Sequence, residues 1–105
     1  MANAHRGEID ALIGGERLTL CLTLGALAEL ESRLQAGDLV GLCERFEKGK
    51  VSAADLIALI GAGLRGGGNE ISDDALARLT IEGGLTGAAR IAAELLRITF
   101  GAAGQ

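Results

Sequence analysis

The residues of this 105-residue chain that could perform chemistry are few: one histidine (His5), the serines Ser32, Ser52 and Ser72, and two cysteines, Cys21 and Cys43. Nucleophilic catalysis needs a nucleophile held against a base, and the base held in turn by a third group. His5 sits in a polar N-terminal segment expected to fray. Ser52 and Ser72 stand where helices should begin, and Ser32 falls on the solvent side of a helix. A serine or cysteine hydrolase is therefore excluded. One histidine and two distant cysteines do not build a closed zinc site, and the acids around Asn69 to Asp74 lack the alternating ligands and final glutamate of a calcium loop. Gly61, Gly63 and Gly66 spell GxGxxG, but a dinucleotide fingerprint follows a strand and opens a helix. These glycines lie within and at the end of a helix, so Gly61 and Gly63 read as packing positions and Gly66 as the stop. Gly66-Gly67-Gly68 has no Lys-Ser/Thr behind it and reads as a hinge. Glu29 and Glu31 point to opposite sides of one helix and cannot share a proton. The chain is expected to have no catalytic residue, metal, cofactor or small-molecule substrate.

Charge and composition narrow the remaining classes. The formal net charge is −4, and the ten basic residues are scattered singly from Arg6 to Arg97. Phosphate-backbone binding needs clustered cations, and single-stranded bases need aromatic platforms; Phe46 and Phe100 are the only aromatics. Nucleic acid is not an expected partner. The longest apolar run, Leu56 to Leu64, is about half the ~20 residues of a membrane span. Met1 to Glu8 lacks the apolar centre of a signal peptide, and the cysteines lack CxxC spacing. The expected location is the cytoplasm.

The elements that would position any binding surface are mostly helical. One domain is expected over 1–105, with a β-hairpin at 7–23, a helical bundle at 24–100, and disorder at 1–6 and 101–105. In the hairpin, Ile9, Ala11 and Ile13 alternate with polar neighbours, Gly14-Gly15 supplies the tight turn, and Leu18, Leu20 and Leu22 form the matching inner face. Helix one runs from Leu24 to about Gln35 behind Thr23 as N-cap, with Leu27, Leu30 and Leu34 on one side and the pair Glu29–Arg33 on the other; Gly37 stops it. Asp38 caps helix two, whose Leu39, Leu42, Cys43 and Phe46 share a face, and Gly49 ends it. Helix three starts at a capping box, Ser52 with Asp55, and a staple, Val51 with Leu56. Leu56, Ile57, Leu59, Ile60 and Leu64 make it apolar nearly all round, which places it at the centre of a core or an interface. Ser72 opens helix four, with Ile71 and Leu76 as staple and Asp73 and Asp74 in the first turn; Gly83-Gly84 breaks it. Thr86 is the expected cap of helix five, whose stripe is Ile91, Leu95 and Ile98, widened by Ala88, Ala92 and Leu96. The fold class is α+β, mostly α: an N-terminal β-hairpin followed by about five short amphipathic helices.

Particular strings add to these periodicities. Leu22-Thr23-Leu24-Gly25-Ala26-Leu27-Ala28-Glu29-Leu30-Glu31 follows the hairpin, Ser52-Ala53-Ala54-Asp55-Leu56-Ile57 leads to Gly63-Leu64-Arg65-Gly66-Gly67-Gly68, and Ala92-Ala93-Glu94-Leu95-Leu96 precedes Thr99-Phe100-Gly101. With the opening Asn3-Ala4-His5-Arg6-Gly7-Glu8, the chain resembles the gene transfer agent family of small phage-tail proteins over nearly its whole length. The resemblance implies a part in building the tail of a phage-like particle or prophage. Such proteins are grouped with tail assembly chaperones, although the family has also carried a tail tube label. A chaperone would hold the long helical tape-measure protein and present it to tail tube subunits.

The mostly helical pattern suits a chaperone better than a β-rich tube subunit, and helix-in-groove binding is the expected mechanism. Leu64, Arg65, Ile98 and Phe100 lie at helix ends beside predicted breaks and are the expected protein contacts. The alternatives are a structural component of the tail tube or tail terminus, self-associating into rings and present in the particle, and a small helical regulatory domain.

Overall fold

Strict alternation on both sides of Gly14-Gly15 produces the one sheet among the described residues. The computed structural model describes residues 6–33 and 39–101. Strands β1 (Glu8–Ile13) and β2 (Glu16–Cys21) pair antiparallel, with Ile9 opposite Leu20, Ala11 opposite Leu18 and Ile13 opposite Glu16. Both turn glycines have positive φ, 63° and 83°, the conformation in which a two-residue turn matches the twist of its strands. Ile9, Ile13 and Leu20 are buried, and Leu22 just beyond β2 joins them. The opposite face pairs Thr19 Oγ1, the donor, with Asp10 Oδ1 at 3.1 Å.

The helices are α1 (Leu24–Arg33), α2 (Leu39–Glu47), α3 (Ala53–Gly66), α4 (Asp73–Ala77) and α5 (Gly84–Leu96), the last closed by a π-helical turn over Arg97–Gly101. The hairpin followed by five helices is the architecture the residue pattern predicts. Thr23 caps α1 as expected, its Oγ1 accepting from the Ala26 N–H at 3.1 Å. The capping box of α3 is complete: Ser52 Oγ accepts from Asp55 N–H at 3.1 Å, and Asp55 Oδ2 accepts from Ser52 N–H at 3.2 Å. Ser72 Oγ accepts from Ala75 N–H at 3.1 Å. Gly49, at φ 69°, closes α2 while Lys50 N–H reaches back to Arg45 O at 2.8 Å.

Helix α3 is the axis of the molecule. Its buried residues run without a gap from Ala58 to Leu64, and it packs against β2, α1, α5 and α4. A helix buried on so many sides has no polar face to show, which is why its pattern lacks one. Gly63 lets α5 approach: a Cβ there would stand 2.6 Å from Leu95 Cδ2. At its C-terminal end, Gly66 and Gly67 lie directly on β2, where a Cβ would run into the carbonyl oxygens of Cys21 and Thr19 respectively.

Three expectations are corrected. The glycine stretch after α3 is a fastened joint and not a hinge. Gly68 takes φ 97°, Asn69 N–H returns to Leu64 O at 2.9 Å, and Asn69 Nδ2 donates to Thr19 O at 2.7 Å and to Leu64 O at 3.1 Å. Helix four ends at Ala77 and not at Gly83, because residues 80 and 81 are drawn to the hairpin. Gly14 N–H donates to Thr80 O at 2.8 Å, and Ile81 forms an antiparallel bridge with Ile13. Thr86 does not cap α5; Gly83, in the left-handed region at φ 87°, is the N-cap, and Gly87 N–H donates to its carbonyl at 3.1 Å. Of the ends expected to be disordered, Arg6 and Gly101 are described. Arg6 lies 3.9 Å from Glu8 as an ion pair, and Gly101 closes the π-helical turn. Residues 1–5 and 102–105, Leu34, Gln35, Gly37 and the expected cap Asp38 lie outside the described residues.

Candidate protein-docking surface

The shortened α4 decides where the surface opens. Between α4 and α5 the seam over α3 is lined by Ala53, Leu56, Ile57, Ile60, Leu76, Ala77, Leu79, Ile81, Gly84, Leu85 and Ala88, none of them charged. The hollow holds about 240 Å³. A second hollow continues on the other side of Leu85, between the end of α2 and α5, with Phe46, Gly49, Val51, Leu56, Thr86, Ala89, Arg90 and Ala93 in its walls. Leu56 and Leu85 belong to both, so the two form one apolar groove with Leu85 standing between its halves. Leu85 is 67 % exposed and Leu79 is 38 % exposed. These two leucines extend the apolar surface of the groove into water.

The expected contacts fall elsewhere. Leu64 is fully buried and therefore serves the core and not the surface: the end of α3 where it sits is covered by β2. Arg65 is engaged within the chain. Its Nε donates to Glu29 Oε1 at 3.2 Å, its Nη1 to Ile71 O at 2.8 Å and to Asp73 Oδ1 at 3.0 Å, and its Nη2 pairs with Glu29 Oε2. Arg33 joins the same cluster through Asp73 and, at 3.6 Å, Glu29. The hydrogen bonds Arg65 donates to Glu29 are the main reason its guanidinium is held even above its ordinary high value. This cluster ties α1, α3 and the start of α4 together and leaves Arg65 little donor capacity for a partner. Ile98 is half-buried against the core. Phe100 is 37 % exposed in the π-helical turn, at the opposite end of α5 from Leu85, roughly 20 Å away at 1.5 Å per residue.

Sequence reasoning missed Leu79 and Leu85. Leu85 is at i, i+3 and i+7 with Ala88 and Ala92, which would place it on the buried stripe. The available signal was its position directly after Gly83-Gly84, in the first turn, where a neighbouring helix must still be present to cover it.

The chemical groups behave as their surroundings dictate. Ser32 Oγ donates to Glu29 O at 2.8 Å on an exposed face, and Ser52 and Ser72 are occupied as caps. Burial, aided by the Glu8 charge and opposed by Arg6, raises the Cys21 thiol above its ordinary value, which favours its protonated form at neutral pH. Cys43 packs half-buried against the core. Among the described residues no group of histidines, cysteines and carboxylates could hold a metal ion, and no helix is long and apolar enough to cross a membrane. Every buried side-chain nitrogen and oxygen among them has a hydrogen-bond partner.

The class of protein this fold defines is a small α+β domain, a β-hairpin laid on a helical core with an apolar groove beside it. Residues 6–102 match the family model described as "Phage tail tube protein, GTA-gp10", and the chain belongs to that family. Its work and its partners are accordingly those of the tails of phages and gene transfer agents. No curated protein and no solved structure matches the chain.

Proposed function

We propose that this chain is a tail-assembly chaperone that acts in the cytoplasm, holding an apolar segment of a tape-measure protein and presenting it to tail tube subunits. The observation that carries the reading is the groove on either side of Leu85. It is uncharged over α3 and α4, flanked by exposed leucines, and wide enough to take side chains from a helix laid across it. The scarcity of strands supports it as well: the described residues hold one two-stranded hairpin, whose inner face is already buried against α3 and α5.

Light scattering of the purified chain with the tape-measure protein of the same particle tests this directly. A chaperone gives a soluble complex whose mass is the sum of its parts, and Leu85→Asp abolishes it. Separate elution at micromolar concentrations of both proteins overturns the reading. The second reading, a structural component of the tail tube or tail terminus, is favoured by the family's description. It predicts that copies of the chain persist in purified particles and that the isolated protein assembles into rings or tubes. Mass spectrometry of particles separates the two, since a chaperone leaves.

A further inference from the structure

Gly61 sits buried in the middle of α3, where a glycine weakens a helix relative to alanine. Its neighbour is the carboxylate of Asp73, at the start of α4. A Cβ at Gly61 would run into Asp73 Oδ1 and would stand 3.3 Å from both Asp73 Cγ and Arg65 Nη1. The carboxylate therefore lies against bare backbone of α3, where Arg65 Nη1 donates to its Oδ1 at 3.0 Å and Arg33 Nη1 donates to its Oδ2. Arg65 is anchored in turn on Glu29 of α1. Beyond this contact α4 is lightly held. From Ser72 to Thr80, Leu76 is the one buried residue, and the chain is next fastened where Thr80 and Ile81 meet Gly14 and Ile13.

We propose that Gly61, Arg65 and Asp73 form a catch that holds α4 shut over α3, and that α4 opens as a unit when the catch lets go. Segments with few buried apolar side chains open at free energies far below that of global unfolding, and α4, with Leu76 as its single plug, is such a segment. Gly61 is the seat of the catch: without a Cβ, it lets a carboxylate reach the helix surface where Arg65, one turn further on, can bind it. Leu76 and Ala77 belong to the same hollow as Leu56, Ile57 and Ile60 of α3. Opening lifts the first two from its wall and bares the other three, so the catch sets how wide the groove stands. The device belongs to this chain alone and does not depend on the chaperone reading.

Native-state hydrogen exchange of the full chain, resolved by residue with NMR, tests the catch. The reporters are the amides of Leu76, Arg78 and Leu79, which donate within α4 and the turn that closes it; the amide of Leu20, in the hairpin pairing, is the reference. In the parent the three reporters are expected to exchange faster than Leu20. On helix propensity alone Gly61→Ala would stabilise α3. With the catch it is expected to speed the three reporters about tenfold, the effect of losing one charged hydrogen bond, and to leave Leu20 little changed. Asp73→Ala is expected to do the same, and Gly61→Ala added to it to do little more, because the two act on one contact. Asp74→Ala, which removes an exposed acid from the same first turn, is expected to leave the reporters near their parent rates. Reporters no faster than Leu20 in the parent, parental exchange at α4 in a folded Gly61→Ala variant, additive effects of the two substitutions, or equal effects of Asp73→Ala and Asp74→Ala overturn the proposal. Should Gly61→Ala fail to fold, the comparison of Asp73→Ala with Asp74→Ala decides.

Discussion

The two ends of α3 are equally apolar in sequence and opposite in what covers them. At the C-terminal end, Gly63, Leu64, Gly66 and Gly67 lie under β2 and α5, with backbone against backbone and Asn69 fastening the joint. At the N-terminal end, Leu56, Ile57 and Ile60 form the floor of a groove open to water. The difference comes from neighbours and not from the helix itself. The hairpin is long enough to cover one end, whereas α4 stops at Ala77 and leaves the other end to small side chains and two exposed leucines. A helix apolar on all sides therefore signals contact without saying whether the partner belongs to the same chain.

Substitution of the joint glycines should separate the two ends most strongly. Gly66→Ala or Gly67→Ala places a Cβ against the carbonyl oxygens of Cys21 or Thr19, backbone groups that cannot move aside, and is expected to cost about 2–4 kcal/mol of unfolding free energy. Urea titration checks it; an unchanged midpoint would show that the joint is loose. Next comes a paired test of leucines. Leu64→Ala should cost about 2–5 kcal/mol because the residue is fully buried. Leu85→Asp should stay within about 0.5 kcal/mol of the parent while removing partner binding. If the two variants destabilise alike, the contrast between closed and open ends collapses.

Asn69→Ala strips Thr19 O and Leu64 O of a side-chain donor and is expected to cost about 1–2 kcal/mol. Hydrogen exchange should show faster opening at the α3–β2 joint without change around the groove. The smallest effect concerns pH. The hydrogen bond from Arg97 holds the Glu94 carboxyl below its ordinary value, so its contribution is complete above that value. It is lost as pH falls through the lowered folded-state value. Because the pair is exposed, Glu94→Gln should change stability at pH 7 by only about 0.2–0.5 kcal/mol, and the difference from the parent should vanish in acid.

The places where local chemistry is self-sufficient were legible from residue types alone. Two glycines between alternating segments close a two-residue hairpin turn, and the caps at Thr23, Ser52 and Ser72 use atoms within three residues of each other. The ion pair Glu29–Arg33 is likewise one helical turn. The groove was not legible in this way. Its existence depends on where α4 ends, and that depends on Thr80 and Ile81 meeting Gly14 and Ile13 across more than sixty positions of sequence. Once the hairpin captures residues 80 and 81, the helix cannot continue to Gly83 and Leu85 is left uncovered.

The same division holds for the expected contacts. Helix ends and apolar residue types picked out Leu64 and Arg65 correctly as neighbours of a break, but a break says nothing about what lies over it. Sequence determined the order of the elements, the caps at Thr23, Ser52 and Ser72 and the inward faces of the hairpin, because these rest on interactions of short range. Tertiary structure alone decided that β2 and Asn69 seal the Leu64 end, that Glu29 and Asp73 occupy Arg65, and that Leu79 and Leu85 remain in water. Exposure is a property of every neighbour at once, and no periodicity within a single helix encodes it.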